Sequence, residues 1–281
     1  MRIQVPGFLP ATIRLVFYRP VRSVVAGLVT LAVLLPLAAC APEAAIVSTA
    51  RPTSSAPPVV PSPSPAPTPT ATPPGFDKTA LSIDDPTSLW VVVDKLRPLK
   101  PSSYAPPDLA LPPVPHVARA ASSRMRSEAA AALQSMFATA ATEGAGAMQI
   151  QNAYRSFVVQ TNTHNSLVGS LGEARADAQS ARPGYSEHQT GLAVDIAASP
   201  SRCDIQACFG QTPQGIWLAA NAYRFGFLLR YPSDGQAVTG FVYEPWHYRY
   251  VGLALASRMH VTGATTLEEF FGLPAAPTYA P

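Results

Sequence analysis

Short segments of period two, set between stretches with a helical stripe, make the folded part of this chain compatible with the α+β class. Three observations carry that expectation. Met148–Tyr154 and Thr190–Ala197 alternate as strands, and Phe241–Val242–Tyr243 has strand composition. Ser122–Thr142 is rich in Ala, Leu and Met, and Met125, Ala129, Ala132, Leu133 and Met136 fall on one helical stripe. Thr212–Pro213 and Gly226 bracket another helix, with an N-cap, a proline in the first turn and a closing glycine. These elements do not by themselves exclude other α+β topologies.

Before the folded part comes an address. Arg2, Arg14, Arg19 and Arg22 precede an apolar run from Val24 to Leu37, too short for a comfortable membrane span. The four arginines account for the chain's formal charge of +3. Removing them from the 20 basic residues leaves 16 against 17 acidic ones, a net of −1. That balance gives no basic footprint for nucleic acid. Residues 1–39 are read as an export signal.

Residues 40–75 form the second segment. Of the 31 prolines, eleven lie between Ala41 and Gly75, among Ser, Thr and Ala. Such a stretch cannot bury a core and is expected to be an extended tether. In polyproline II geometry its roughly 35 residues could reach about 100 Å.

The folded unit is expected over residues 76–281. Leu89–Trp90–Val91–Val92–Val93 is β-prone, and the prolines from Pro98 to Pro115 impose an irregular wrap after it. Thr161–Arg182 reads as polar and glycine-dotted, with a helix around Glu173–Ser180. His164 in that stretch is expected at the surface. The helix bracketed by Thr212 and Gly226 would bury Ile216, Ala220, Tyr223 and Phe227. Residues 232–240, with Asp234–Gly235, read as a hairpin connection. Thr266–Leu267–Glu268–Glu269 is a capping-box signature, and Gly272 would end its short helix.

Two stretches concentrate chemistry: Ser186–Asp195 and Glu244–Pro245–Trp246–His247. His188, Asp195 and His247 make a donor set for one zinc ion, because catalytic zinc takes three His or carboxylate ligands and keeps a fourth position open. Period two places Leu192, Val194 and Ile196 on one face of their strand and Asp195 on the other, among alanines. Glu244, three residues before His247, is within reach of the open position, and Pro245 biases it away from helical geometry. Trp246 and Tyr248 are expected to pack around the site. His116 and His260 are not counted as ligands.

The pattern His-x6-Asp, followed some fifty residues later by Glu-x2-His, resembles the VanY-like zinc D-alanyl-D-alanine carboxypeptidases. Tyr154–Arg155–Ser156, Arg182–Pro183–Gly184, Cys203 with Cys208, Arg224–Phe225–Gly226–Phe227 and Arg230–Tyr231–Pro232 carry the same likeness, from about Leu89 to Leu273. The resemblance implies an α+β fold with a small antiparallel sheet, helices outside it and the metal on its open face. It implies zinc on His188, Asp195 and His247, with Glu244 as general base and acid. Arg155 would stabilise the oxyanion, Ser186 would hold the terminal carboxylate, and Gln160 would line the substrate cleft. The implied partners are peptidoglycan stem peptides losing a terminal D-alanine; a monomer is expected.

Neighbouring readings stay open at this point: an L,D-carboxypeptidase, a wall endopeptidase, or a zinc-containing wall-binding module without catalysis. A serine peptidase of the Ser-x-x-Lys kind is excluded, since that spacing precedes none of Lys78, Lys95 and Lys100. Leu37–Ala38–Ala39–Cys40 resembles a bacterial lipobox, which implies lipid on Cys40 and anchoring to the membrane on its outer side; an ordinary secretory signal or an uncleaved anchor is the alternative. Cys203 and Cys208 then remain as a disulfide pair suited to an oxidising compartment, the alternative being a two-cysteine metal site.

Overall fold

The computed structural model describes residues 75–117 and 122–280. The export segment, Cys40 and the tether up to residue 74 lie outside them. Among the described residues no helix is long and apolar enough to cross a membrane.

Four strands form the central antiparallel sheet: β3 (Met148–Asn152), β4 (Ala193–Ala198), β5 (Phe227–Leu229) and β6 (His247–Tyr250), in the order β3-β4-β6-β5. A two-stranded sheet joins β1 (Leu109–Ala110) to β2 (Met125–Arg126). The helices are α1 (Ser127–Thr142), α2 (Phe157–Leu171), α3 (Glu173–Gln179), α4 (Pro213–Asn221), α5 (Gln236–Thr239), α6 (Leu253–Thr262) and α7 (Leu267–Phe271). The expected α+β architecture with a small antiparallel sheet is therefore present.

One face of the sheet builds the core. Ile150, Val194, Ile196 and Tyr248 pack there with Met125, Ala129, Leu133 and Met136 of the α1 side. The alternation expected around Asp195 holds, with Val194 and Ile196 in this cluster. A second cluster, Trp90, Val92, Val251, Leu255, Met259 and Phe270, joins α6 and α7 to the segment before the proline wrap. That wrap is pinned to the site: the Gln189 side chain donates to the carbonyls of Ser102 (2.6 Å) and Tyr104 (2.9 Å).

Several elements differ from their sequence expectation, each for a physical reason. Leu89–Val93, of which Trp90 to Val93 are buried, forms no strand. A guanidinium takes the place of a neighbouring strand, since Arg249 Nη2 donates to the carbonyls of Leu89 (3.1 Å) and Val91 (2.8 Å). Phe241–Tyr243 is likewise irregular, and the strand begins only at His247. Residues 232–240 do connect two antiparallel neighbours, β5 and β6, but through the short helix α5 instead of a tight hairpin. On α4 the buried side is Gly215, Trp217 and Leu218, whereas Ile216 is 59% exposed and Ala220 is also exposed. The helix turns into a 3-10 segment at Ala222, which shifts its phase; Ala222 and Phe227 are buried and Tyr223 only partly so.

The largest departure is α2, most of which falls in a stretch read only as polar and glycine-dotted. Ser156 caps it, accepting from Val159 N at 3.3 Å. Its buried positions are Gln160 and His164, one turn apart. The inward stripe is thus polar, and hydrophobic periodicity cannot reveal it. His164 is accordingly buried instead of exposed, with Nε2 3.4 Å from Asp177 Oδ1 on α3.

Candidate active site

The sheet places the chemistry in a row. In the antiparallel register Asp195 stands opposite His247 on one side and Asn152 on the other, after a register shift in β3. His188 comes from a 3-10 turn, Glu187–Thr190, which Gly191 closes in a left-handed conformation with φ of +68°. A Cβ on Gly191 would lie 2.9 Å from Leu109 Cδ2 and 3.1 Å from Pro106 Cγ. Gly191→Ala should therefore lose at least the 1–2 kcal/mol or so that a left-handed backbone costs a non-glycine residue, and more from the crowding. A lowered midpoint in denaturant unfolding is the expected reading.

His188, Asp195 and His247 are all buried and bring one ligand atom each within 4.8 Å of the others. His188 Nε2 lies 3.4 Å from Asp195 Oδ2, and His247 Nδ1 lies 3.1 Å from Asp195 Oδ1. Ligands about 2.0–2.1 Å from a tetrahedral zinc are about 3.3 Å apart, so the donor set fits that ion. The outer contacts fit as well. His188 Nδ1 donates to the Ala153 carbonyl at 2.7 Å, which leaves Nε2 unprotonated toward Asp195. His247 turns its other nitrogen, Nε2, toward Glu187 Oε2 at 3.4 Å.

Glu244 sits in the turn before β6, its Oε2 3.8 Å from His247 Nδ1. Backbone bonds fix that turn: Glu244 N donates to Tyr231 O and His247 N donates to Glu244 O. Ser186, Arg155, Glu244 and Trp246 line the same cleft, of about 180 Å³, together with the three metal-site residues. Gln160 does not line it. It is fully buried behind the wall, where Oε1 accepts from Arg155 Nη1 at 3.0 Å and Nε2 donates to Ser180 Oγ and Ala181 O. The amide thus orients Arg155 toward the cleft instead of meeting a ligand. Tyr248, expected to pack around the site, is instead buried in the core on the other face of the sheet, because period two pairs it with Val194 and leaves His247 to Asp195.

The chain has counterparts among known proteins in both sequence and fold. The chain is 38% identical over 192 residues to the putative carboxypeptidase YodJ of Bacillus subtilis (strain 168), spanning 68% of this chain and 69% of that one. A solved structure of the LD-carboxypeptidase LdcB matches with a TM-score of 0.61 at 38% identity, covering 66% of this chain and 87% of LdcB. The chain belongs to the VanY-like carboxypeptidases. It is a peptidase by that membership. The VanY model, described as D-alanyl-D-alanine carboxypeptidase, matches residues 122–253. A D-alanyl-D-alanine carboxypeptidase of Enterococcus faecium is 36% identical over 130 residues, which span 46% of this chain but only 38% of that protein. A VanY D,D-pentapeptidase variant solved in complex with Zn(II) matches with a TM-score of 0.53 at 31% identity, covering 66% of this chain and 98% of the other.

One residue of this VanY-like site had no role assigned from sequence. Glu187, beside His188, is fully buried and accepts from Arg230 Nε and Arg249 Nη1, both at 2.9 Å. Arg230 in turn donates to both carboxylate oxygens of Glu268, at 2.6 and 3.0 Å. A glutamate flanked by histidine in a turn reads as a solvated residue, and nothing local marks it as the hub of a buried ion cluster. The cysteines form the expected disulfide, Cys203–Cys208, with Cα atoms 5.6 Å apart. His116 is exposed, and His260 stacks on Tyr223 at 3.5 Å between ring centroids.

The charges are strongly coupled. Burial pushes Glu187 and Asp195 up, but their cationic neighbours outweigh it and hold both well below the usual carboxylate range: Arg230, Arg249 and His247 for Glu187, His188 and His247 for Asp195. Burial lowers His188. For His247 burial also lowers, yet its bonds to Asp195 and Glu187 win and raise it to about 9. Burial raises Glu244 to about 8, with the nearby Asp195 charge adding to it and His247 opposing.

These shifts predict a pH signature for the metal-free protein. Glu244 and His247 both sit above their ordinary values of 4.5 and 6.5. Raised groups contribute stability that is present below the unfolded pKa and lost as pH climbs through the folded one. The metal-free melting temperature should therefore fall between about pH 6.5 and pH 9, where His247 loses its proton. Zinc requires unprotonated His247 and its charge favours the Glu244 carboxylate, so uptake near pH 7 should release between one and two protons and restore stability on the alkaline side. Calorimetry with and without zinc across that range checks both statements.

Proposed function

We propose that this chain is a zinc-dependent carboxypeptidase that removes the terminal D-alanine of peptidoglycan stem peptides. The observation that carries the reading is the convergence of His188, Asp195 and His247 with Glu244 in one buried cleft edged by Arg155 and Ser186. The D-alanyl-D-alanine carboxypeptidases among its relatives support the substrate class.

His188, Asp195 and His247 would hold the ion through Nε2, a carboxylate oxygen and Nδ1. Zinc bound there would supply a Lewis acid, activating water and polarising the scissile carbonyl. Glu244 takes a proton from the attacking water and returns it to the leaving amine, for which a carboxyl raised by burial is suited. Arg155, its guanidinium held by Gln160, faces the carbonyl oxygen as it gains charge. Ser186 holds the terminal carboxylate. Asn152, donating to Asp195 Oδ2 at 3.2 Å, fixes that ligand's orientation.

A second reading, L,D-carboxypeptidase action on tetrapeptides, is favoured by one finding: the LdcB structure matches at a higher TM-score than the VanY structure. Product analysis by mass spectrometry separates the two, using residues 76–281 with zinc and synthetic stem pentapeptide and tetrapeptide. Loss of one alanine from the pentapeptide supports the first reading. Cleavage of the tetrapeptide alone moves the assignment to the second, and cleavage of neither overturns both.

The same reading includes an address outside the cytoplasmic membrane, through lipid on Cys40 and a proline-rich tether. The Leu37–Cys40 motif and the disulfide support it. Metabolic labelling with a palmitate analogue, lost in Cys40→Ser, tests the anchor.

A further inference from the structure

The cleft has an apolar wall that the chemistry above leaves without a role. Ile205, Leu167 and Trp246 line it beside the polar groups. Ile205 is the unusual member. It stands at the tip of the loop closed by Cys203–Cys208 and is 40% exposed. Its φ is +51°, in the left-handed region, and Cys203 shares that region with φ of +59°.

A branched side chain in left-handed backbone is a genuine outlier. Glycine would relieve the strain at this position. Isoleucine there holds a hydrocarbon at the edge of a cleft whose other members are largely polar. Such outliers persist where the surroundings over-determine them and cluster at ligand-binding sites. Here the surroundings are visible. Cys203 packs against the main core, Phe209 is fully buried one residue past Cys208, and Gln206 N donates to Cys203 O within the loop. The disulfide therefore ties both ends of the Ile205 turn to the body of the domain.

We infer that Ile205 is a specificity-determining substrate contact: held over the cleft by the Cys203–Cys208 bond, it takes the aliphatic part of a peptide side chain near the scissile bond. The inference rests on the peptidase reading of the same cleft. The disulfide then does more than stabilise; it sets where an apolar subsite begins.

The test compares kcat and KM for Ile205→Gly, Cys203→Ser/Cys208→Ser and the triple variant with the wild type. The substrates are two stem peptides, with a lysine or an alanine residue immediately before the D-alanine portion, each made with one and with two terminal D-alanines. One methylene in an apolar pocket discriminates by roughly 10-fold or more. Ile205→Gly should therefore raise KM for the lysine peptide by about 10-fold and flatten the preference over the alanine peptide. Its kcat should change little, and its melting temperature should hold or rise because glycine suits the backbone. The cysteine pair variant should raise KM in the same direction, with no further rise when Ile205→Gly is added. An unchanged KM and preference in Ile205→Gly overturns the inference, and fully additive effects overturn the role of the disulfide. If the wild type cleaves neither peptide, the peptidase reading itself has failed; if it cleaves them, the comparison judges Ile205 alone.

Discussion

Glu244→Gln should lower kcat by about 10²- to 10⁴-fold, the usual contribution of a positioned general base, while zinc stays bound. The amide keeps the shape and burial of the side chain but cannot accept the proton. His188, Asp195 and His247 supply the whole donor set without Glu244, so metal content by mass spectrometry should match the wild type. Loss of zinc together with activity would instead make Glu244 a fourth ligand. In the metal-free variant the alkaline loss of stability should also soften, because one of the two groups raised above its ordinary value is gone. A neutral amide places no demand on pH.

Glu187→Ala should be the most destabilising single change near the site. It leaves Arg230 and Arg249, both fully buried, without the carboxylate they share. Removing one partner of a buried ion pair typically costs about 3–5 kcal/mol. At about 2–4 °C per kcal/mol for a domain of this size, the melting temperature should fall on the order of 10 °C. Zinc affinity should drop as well, since His247 Nε2 loses the group that orients it. Glu173→Ala is the contrast. It breaks an ion pair with Arg182 in which the glutamate side chain is 68% exposed, and such a pair is worth about 0–1 kcal/mol. Equal losses in the two variants would mean that the buried cluster carries no special weight.

What was legible in the sequence follows from which residues announce themselves locally. Asp195 stands out because alternating apolar neighbours fix its strand and face. Thr266 shows its cap, and the structure has its hydroxyl accepting from Glu269 N at 3.2 Å. Histidine, glutamate and proline in two short stretches fix the candidate site before any fold is known. The misread elements share the opposite property. Leu89–Val93 has the composition of a strand, but its carbonyls are satisfied by an arginine from far along the chain. The α2 helix turns a glutamine and a histidine inward, and their partners on α3 and after it are invisible to any local window. Glu187 is the sharpest case. Its environment consists of Arg230, Arg249 and His247, all remote in sequence. Buried polar networks are long-range objects, and only the folded chain lists their members side by side.

The link from Arg230 to Glu268 bears on how the protein comes into being. Synthesis runs from the N-terminus, so every residue of the metal cluster has been made once His247 is added. Two residues later Arg249 joins Arg230 on the single carboxylate of Glu187, and the second carboxylate comes only with Glu268 on α7, downstream of α6. A nascent chain at that stage carries a complete set of ligand side chains beside two guanidiniums that share one carboxylate. The helix α7 thus completes the charge balance behind a site to which it contributes no ligand.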